Sequence, residues 1–522
     1  MMNRLWVIAP LLVVVLAAGQ TAKADPLTPV HAATTMPRAA ASPTITPELL
    51  ADLDATVPAA MATFDVPGAA VALIQDGQVV YAKGFGVRNL STGEPFTADT
   101  VHRIASTTKS MTSMLVATQV DAGLFAWDTP VQTIYPDFQL PTPDLTRSVT
   151  VRQLMGMGTG LGENPIELYF DLDTPTYWMA SLATLPILAP PGTEFHYNNT
   201  VYAMAGYVGA LTYGVPIPHL LRTYTAQMKA RLFDPIGMPT SAVTDHPARL
   251  SDNYAVSYGY HLPDGILPRY QLPFELLRAV APAGGVSTTL HEMARYLITQ
   301  LNGGVAPNGT RIVSTQNLAE TWKAQTPIDE TSAYGMGWVT ENVQGIDLLS
   351  HTGGIDAFYT HMALLPDAKI GMLIFSNSES GFDFNQTIHD YVLETLYQLP
   401  PTALERGTAA YQRRKERLQE LRSSVTSFTV ERTDVTPYLG TYEKEWRVEY
   451  HDDQMLWLTR RSGYQLVLLP TVEGYLIGGG TMTTGFGMLV NFAKDEDGNI
   501  RMTITHDGNV IDSLAQLKGS KE

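Results

Sequence analysis

The order of β-rich and helical stretches constrains this chain more than any single motif. "VPGAAVALIQDGQVVYAKGFGVRN" (residues 66–89) holds two β-rich runs joined by Gln75-Asp76-Gly77-Gln78, and Asp-Gly between such runs signals a hairpin. From roughly 106 to 300 the pattern turns mainly helical. "SMTSMLVATQVDAGL" stops near Gly123, "NNTVYAMAGYVGALTYG" stops near Gly214, and "TLHEMARYLITQLNGG" opens on a threonine cap and ends in a glycine pair. From Tyr334 short strand-like runs return: "GIDLLSHTGG", "AFYTHMALLP" and "KIGMLIFSNS", followed by a helix from about Gln386 to Tyr397. Strands that open and close a region whose centre is helical point to an α+β fold. Its antiparallel sheet is built from both ends of the domain and flanked by helices, with an all-helical subdomain.

The flanks divide the remaining chain. Residues 1–24 have a basic start (Arg4), an apolar run from Leu5 to Ala18 and a small-x-small end at Ala22-Lys23-Ala24. That is the pattern of a signal peptide, and the expected location is exported, periplasmic or extracellular, with no stable membrane insertion after cleavage. Residues 25–45 are rich in Pro, Ala and Thr and read as a linker, and a helix is expected from Thr46 to about Ala55. The main domain then covers 46–400. A charged connector helix covers 401–424, and 425–522 is a small all-β domain with turns at His451-Asp452-Asp453, Asp497-Gly498 and Asp507-Gly508. The net charge of −17 argues against a nucleic-acid partner. With no cysteine in the chain, a thiol nucleophile, a thiolate zinc site and any disulfide are excluded.

Three short motifs carry possible chemistry. In "HRIASTTKS", Ser106 stands at a helix start with Lys109 one turn on. A serine there is either a helix cap or a nucleophile whose negative charge the helix N-terminus stabilises. A desolvated Lys109 amine could take its proton. In "PPGTEFHYNNT", Tyr197 and Asn199 can converge on one site as phenol and fixed dipole, or be a loop tyrosine and a helix-capping asparagine. In "SHTGGIDAF", glycines after His351 and Thr352 let a strand backbone approach a ligand, or mark an ordinary turn with His351 on the surface.

Taken in this order and spacing, the three motifs resemble the serine β-lactamase and penicillin-binding-protein superfamily. The Tyr-x-Asn element is similar to that of the class C-like branch, with its D-Ala-D-Ala carboxypeptidases, D-aminopeptidases, CubicO-type peptidases and esterases. "VTVRQLMGMGTGL", "RLFDPIGMPTS", "APAGGVSTTLHEMARYL" and "YGMGWV" extend the resemblance over roughly 46–400, and 425–522 resembles the lipocalin-like barrel appended to some members. The resemblance implies Ser106 as nucleophile, with Lys109 and Tyr197 activating it and shuttling protons. It implies that Asn199 holds the substrate amide and orders Lys109. His351, Thr352 and Gly353 would line the cleft, and the N–H groups of Ser106 and Gly354 would form an oxyanion hole. It implies no metal or cofactor.

The third motif departs from the β-lactamase pattern. His351 stands where a lysine is usual, and a mostly neutral imidazole binds a substrate carboxylate less well than an ammonium. The reading is therefore an exported serine hydrolase that cleaves a small amide or ester, from a D-residue peptide or a carboxylic ester. The alternatives are a β-lactamase or penicillin-binding D-Ala-D-Ala carboxypeptidase, and a non-catalytic binding or assembly protein that keeps the fold. The expected partner is a small-molecule or short-peptide substrate, with the C-terminal domain a candidate surface for homo-oligomerisation or for capping the cleft. Its aromatics Tyr438, Tyr442, Trp446, Tyr450 and Trp457 are expected to fill the barrel core.

Overall fold

A computed structural model describes residues 43–163, 175–244, 246–263, 265–271, 279–460, 465–480, 487–506 and 509–517. The signal-peptide stretch, nearly all of the linker and the Asp507-Gly508 turn lie outside these residues. Strands from the two ends of the first domain meet in one antiparallel sheet of nine. Its order is Glu94–Pro95, Gln78–Asn89, Gly68–Gln75, Ile370–Ser376, Phe358–Leu365, Ile346–Ile355, Val339–Val343, Ser332–Tyr334 and Thr326–Pro327. The N-terminal hairpin closes through Asp76 (φ 51°) and Gly77 (φ 76°), both left-handed as a tight hairpin turn needs. Its first strand pairs with Ile370–Ser376, from Ala69 opposite Ser376 to Gln75 opposite Ile370, and so joins the two ends of the domain.

Alternation along the buried strands sends side chains to two cores. Ala69, Val71, Leu73, Met372 and Ile374 pack on the helices Pro47–Thr63 and Gly381–Tyr397. Ala70, Ala72, Ile74, Leu373 and Phe375 face the helical part, including Thr108–Asp121, Asn199–Leu211 and Leu290–Leu301. The first helix outruns its expected end at Ala55 and continues through Pro58 to Thr63. Leu49, Leu53, Val57, Ala60 and Met61 stay on one buried stripe. Tertiary packing thus offsets the hydrogen bond that Pro58 removes. The helix before the connector starts at Gly381, five residues earlier than expected.

The connector is one helix, Ala403–Ser424. Beyond it eight antiparallel strands from Gly440 to Ala515 form a curled sheet, and a bridge between Tyr442 and Gln516 ties its first strand to the chain after its last. Tyr442 and Trp446 are buried in its core, with Tyr438 and Tyr450 packed against them. Trp457 departs from the expected pattern: it is buried in a separate apolar cluster instead.

The reason for this lies in the middle of the first domain, where the helical reading is corrected. Tyr258–His261 and Gly265–Gln271 form a β-hairpin. Its first strand adds to the C-terminal sheet, with Gly479 opposite His261 and Leu262 N–H donating to Gly478 O at 2.8 Å. Leu262 is fully buried among Trp457, Val467, Leu469 and Leu476. Arg422 of the connector donates through Nε to Leu262 O at 3.0 Å. The two domains therefore share a sheet and a small apolar core. Leu262→Ala is expected to lower the stability of the whole chain by about 2–5 kcal/mol. Urea unfolding followed by tryptophan fluorescence, with Trp457 in the cluster, measures it.

Candidate active site

The sheet and the helical part meet at Ser106. It lies in a short 3-10 turn, Ala105–Thr107, that runs into the helix Thr108–Asp121. Ala105 enters the turn at φ 46°, a left-handed conformation that disfavours a residue with a Cβ by roughly 1–2 kcal/mol. The neighbouring strand holds it there. A Cβ on Gly353 would fall 2.3 Å from Ile104 O and 3.1 Å from Ser106 N, so only glycine lets the Ile346–Ile355 strand lie this close to the turn. The glycine of His-Thr-Gly is thus a packing requirement of the Ser106 turn.

Ser106 does not cap the helix. Its Oγ is bonded to Lys109 Nζ at 3.1 Å. The lysine is fully buried, and its other two partners are Asn199 Oδ1 at 2.5 Å and Ala283 O at 2.8 Å. Both of these are carbonyl oxygens, which only accept. When Lys109 is neutral it keeps two N–H donors for those carbonyls, and its lone pair faces the one partner that can donate, the Ser106 hydroxyl. Burial pushes Lys109 down to about 7, against the pull of the Glu163 carboxylate. The geometry and the charge therefore agree on a base aimed at Ser106.

The Tyr197 hydroxyl is buried and its ring centroid lies 4.7 Å from Lys109 Nζ. Burial holds Tyr197 well above the ordinary phenol range, with the Ser106 hydroxyl opposing, so it is a neutral phenol. The two asparagines divide the tasks that the sequence left open. Asn198 caps the helix Asn199–Leu211 through Val201 N at 2.8 Å, while Asn199 turns its oxygen to Lys109. One Asn199 Nδ2 hydrogen is committed to Glu163 Oε2 at 3.2 Å.

His351 is not a surface residue. It is 2 % exposed, and both ring nitrogens have internal partners, Tyr334 Oη at 3.0 Å from Nε2 and Thr352 O at 2.6 Å from Nδ1. Since Thr352 O only accepts, Nδ1 carries the hydrogen and Nε2 accepts from Tyr334. Burial, followed by the Lys109 charge, lowers His351 to about 3, so the ring is neutral. Thr352 is half-buried and pairs with His361 of the next strand, and Gly354 pairs with Tyr359.

Three features escaped the sequence reading. Glu163 meets the N-terminus of the Asn199–Leu211 helix. Tyr334 belongs to the quoted "YGMGWV" run, but nothing local ties it to His351. Arg103 and Asp356 form a buried ion pair, Nη1 to Oδ2 at 2.7 Å, with side chains 2 % and 4 % exposed. Arg103 leads into the Ser106 turn, and Asp356 sits with Ala357 in the left-handed turn after Gly354. The pair clamps the two backbone segments beside Ser106. Among the described residues no cluster of three or more His, Cys, Asp or Glu is placed to hold a metal ion. No helix among them is long and apolar enough to cross a membrane. Asp356→Ala removes one member of this buried ion pair and is expected to destabilise the chain by about 3–5 kcal/mol, read by thermal unfolding.

The chain is 26% identical over 392 residues to penicillin-binding protein 4 of Amycolatopsis lactamdurans, a match covering 73% of this chain and 94% of that protein. It is 27% identical over 336 residues to an unguisins hydrolase of Aspergillus campestris, covering 61% of this chain and 60% of that enzyme, so it spans less than two thirds of the fungal protein. In fold it is similar to the octameric penicillin-binding protein homologue from Pyrococcus abyssi, with a TM-score of 0.58 at 21% identity over 89% of this chain and 99% of the other. The beta-lactamase family model matches residues 53–397, more than half of the sequence, and the chain belongs to that family.

Proposed function

We propose that this protein is an exported serine hydrolase that cleaves a small amide or ester through an acyl-enzyme on Ser106. The observation that carries the reading is the buried Lys109 amine, whose two carbonyl partners leave its lone pair for the Ser106 hydroxyl. Lys109 takes the hydroxyl proton as Oγ attacks the substrate carbonyl carbon. The N–H groups of Ser106 and Gly354 stabilise the oxyanion. The C–N or C–O bond then breaks, and the leaving group takes a proton delivered from Lys109 through the Tyr197 phenol. Water attacks the ester on Ser106 by the reverse relay, releasing a carboxylic acid and the free serine. The signal-peptide pattern of residues 1–24 supports export.

The relatives include a named hydrolase and a penicillin-binding protein, which support acyl transfer. The 94% coverage of penicillin-binding protein 4 favours a second reading, a D-Ala-D-Ala carboxypeptidase or β-lactamase. His351 weighs against it, because its neutral ring spends both nitrogens on Tyr334 and Thr352 and offers no cation to a substrate carboxylate. We therefore rank D-residue peptides without a free carboxylate there, and carboxylic esters, ahead of penicillins.

A fluorophosphonate probe read by intact mass should label the wild type and not Ser106→Ala. Equal labelling, or none in either, refutes the reading. A panel of p-nitrophenyl esters, D-amino-acid anilides and nitrocefin ranks the substrates. Lys109→Ala and Tyr197→Phe should each cost at least about 10²-fold in turnover. Because Lys109 works as the free base and burial lowers it, kcat/KM should fall by about tenfold per pH unit on the acid side of its limb and level off above it. A rate that is flat from pH 5 to 8 would remove Lys109 as the base.

A further inference from the structure

Glu163 lies 36 residues before Asn199 and matches none of the three motifs, yet its carboxylate is the most heavily engaged acid at the site. Oε1 accepts from the backbone N–H of Asn199 at 2.5 Å and of Thr200 at 3.2 Å, and Oε2 accepts from Asn199 Nδ2 at 3.2 Å. These N–H groups belong to the first turn of the helix Asn199–Leu211, where a negative charge is favoured. That helix already has a cap in Asn198, so Glu163 is not needed to begin it.

The pattern of donors and acceptors explains what else it does. A carboxylate only accepts, so it dictates which end of the Asn199 amide faces it. The nitrogen must turn toward Glu163, and the oxygen must then turn toward Lys109, where it accepts at 2.5 Å. With the amide reversed, Lys109 would meet an N–H group and lose one of its two fixed acceptors. We propose that Glu163 is a positioning residue of this site: it locks the orientation of the Asn199 amide, and through it the direction in which Lys109 presents its lone pair to Ser106.

Glu163 also sets the charge balance there. The groups that face Lys109 are Ser106, Tyr197, Tyr202, Asn199, Ala283, Glu163 and His351. The tyrosines and His351 are neutral, so Glu163 is the anion among them. Burial raises Glu163, opposed by the N–H groups of Asn199 and Thr200 and by Lys109, which favour its charged form. Removing its charge therefore moves Lys109 further down.

The inference rests on the acyl-enzyme reading, so the test first labels wild-type enzyme with fluorophosphonate and confirms turnover of a p-nitrophenyl ester. Without labelling of Ser106, both fail. With it, Glu163→Gln in the full chain should keep KM within about threefold, lower kcat at least about tenfold and shift the acid limb of kcat/KM to lower pH. Glu163→Asp keeps the charge and shortens the reach, so it should lower kcat while leaving the limb in place. Wild-type kcat with an unshifted limb in Glu163→Gln overturns the inference and leaves the acyl-enzyme intact. If Glu163→Gln shows no cooperative unfolding transition, Glu163→Asp decides. A lowered kcat with the limb unmoved supports positioning, and a wild-type kcat overturns it.

Discussion

The buried amine of Lys109 is the constraint on which the rest of the site depends. A lysine with no exposed surface is tolerable only if its amine has partners, and here they come from the adjacent turn and two distant segments. The Ser106 turn supplies a hydroxyl, the Asn199 helix start an amide oxygen, and the Ala281–Gly284 turn a backbone carbonyl. Satisfying the lysine brings these segments together, and each partner that is missing would leave a buried polar group unpaired.

Around that centre, backbone approaches are set by small residues and by one ion pair. Gly353 lets the Ile346–Ile355 strand touch the Ser106 turn, and Arg103 with Asp356 pins the strand's far end to the same turn. Ala105 and Asp356 both adopt left-handed backbone conformations there. Strained residues persist where the surroundings over-determine them, as the Gly353 approach and the Arg103–Asp356 pair do here. The neutral His351 fits the same logic. It fills the wall of the site with a ring whose nitrogens are already satisfied, and leaves Lys109 as the titrating cation.

The C-terminal domain is fastened to this arrangement through the Tyr258–Gln271 hairpin. Tyr258 N–H donates to Asn377 O and Glu379 N–H to Tyr258 O, at the end of a central strand of the nine-stranded sheet. Leu262, four residues on, is buried in the second domain's apolar cluster. One hairpin thus belongs to both domains, and the packing of either is felt by the other.

Sequence alone determined what is local or ordered along the chain. Glycine stops, a threonine cap and an Asp-Gly turn placed the hairpin and three main helices, because those signals act within a few residues. Ser106, Lys109, Tyr197 and the His-Thr-Gly run were legible because three short motifs in this order resemble a family pattern. Only the tertiary structure decided the rest. Glu163 meets Asn199 across 36 positions, Arg103 meets Asp356 across 253, and Leu262 enters a cluster from the other domain. A glutamate, an arginine and a leucine are ordinary surface or core residues until a fold brings their partners, and no periodicity in the chain encodes which partner that is. The same limit hid the choice between nucleophile and helix cap at Ser106. In the fold the Ser106 side chain caps no helix, and its hydroxyl meets Lys109 Nζ at 3.1 Å.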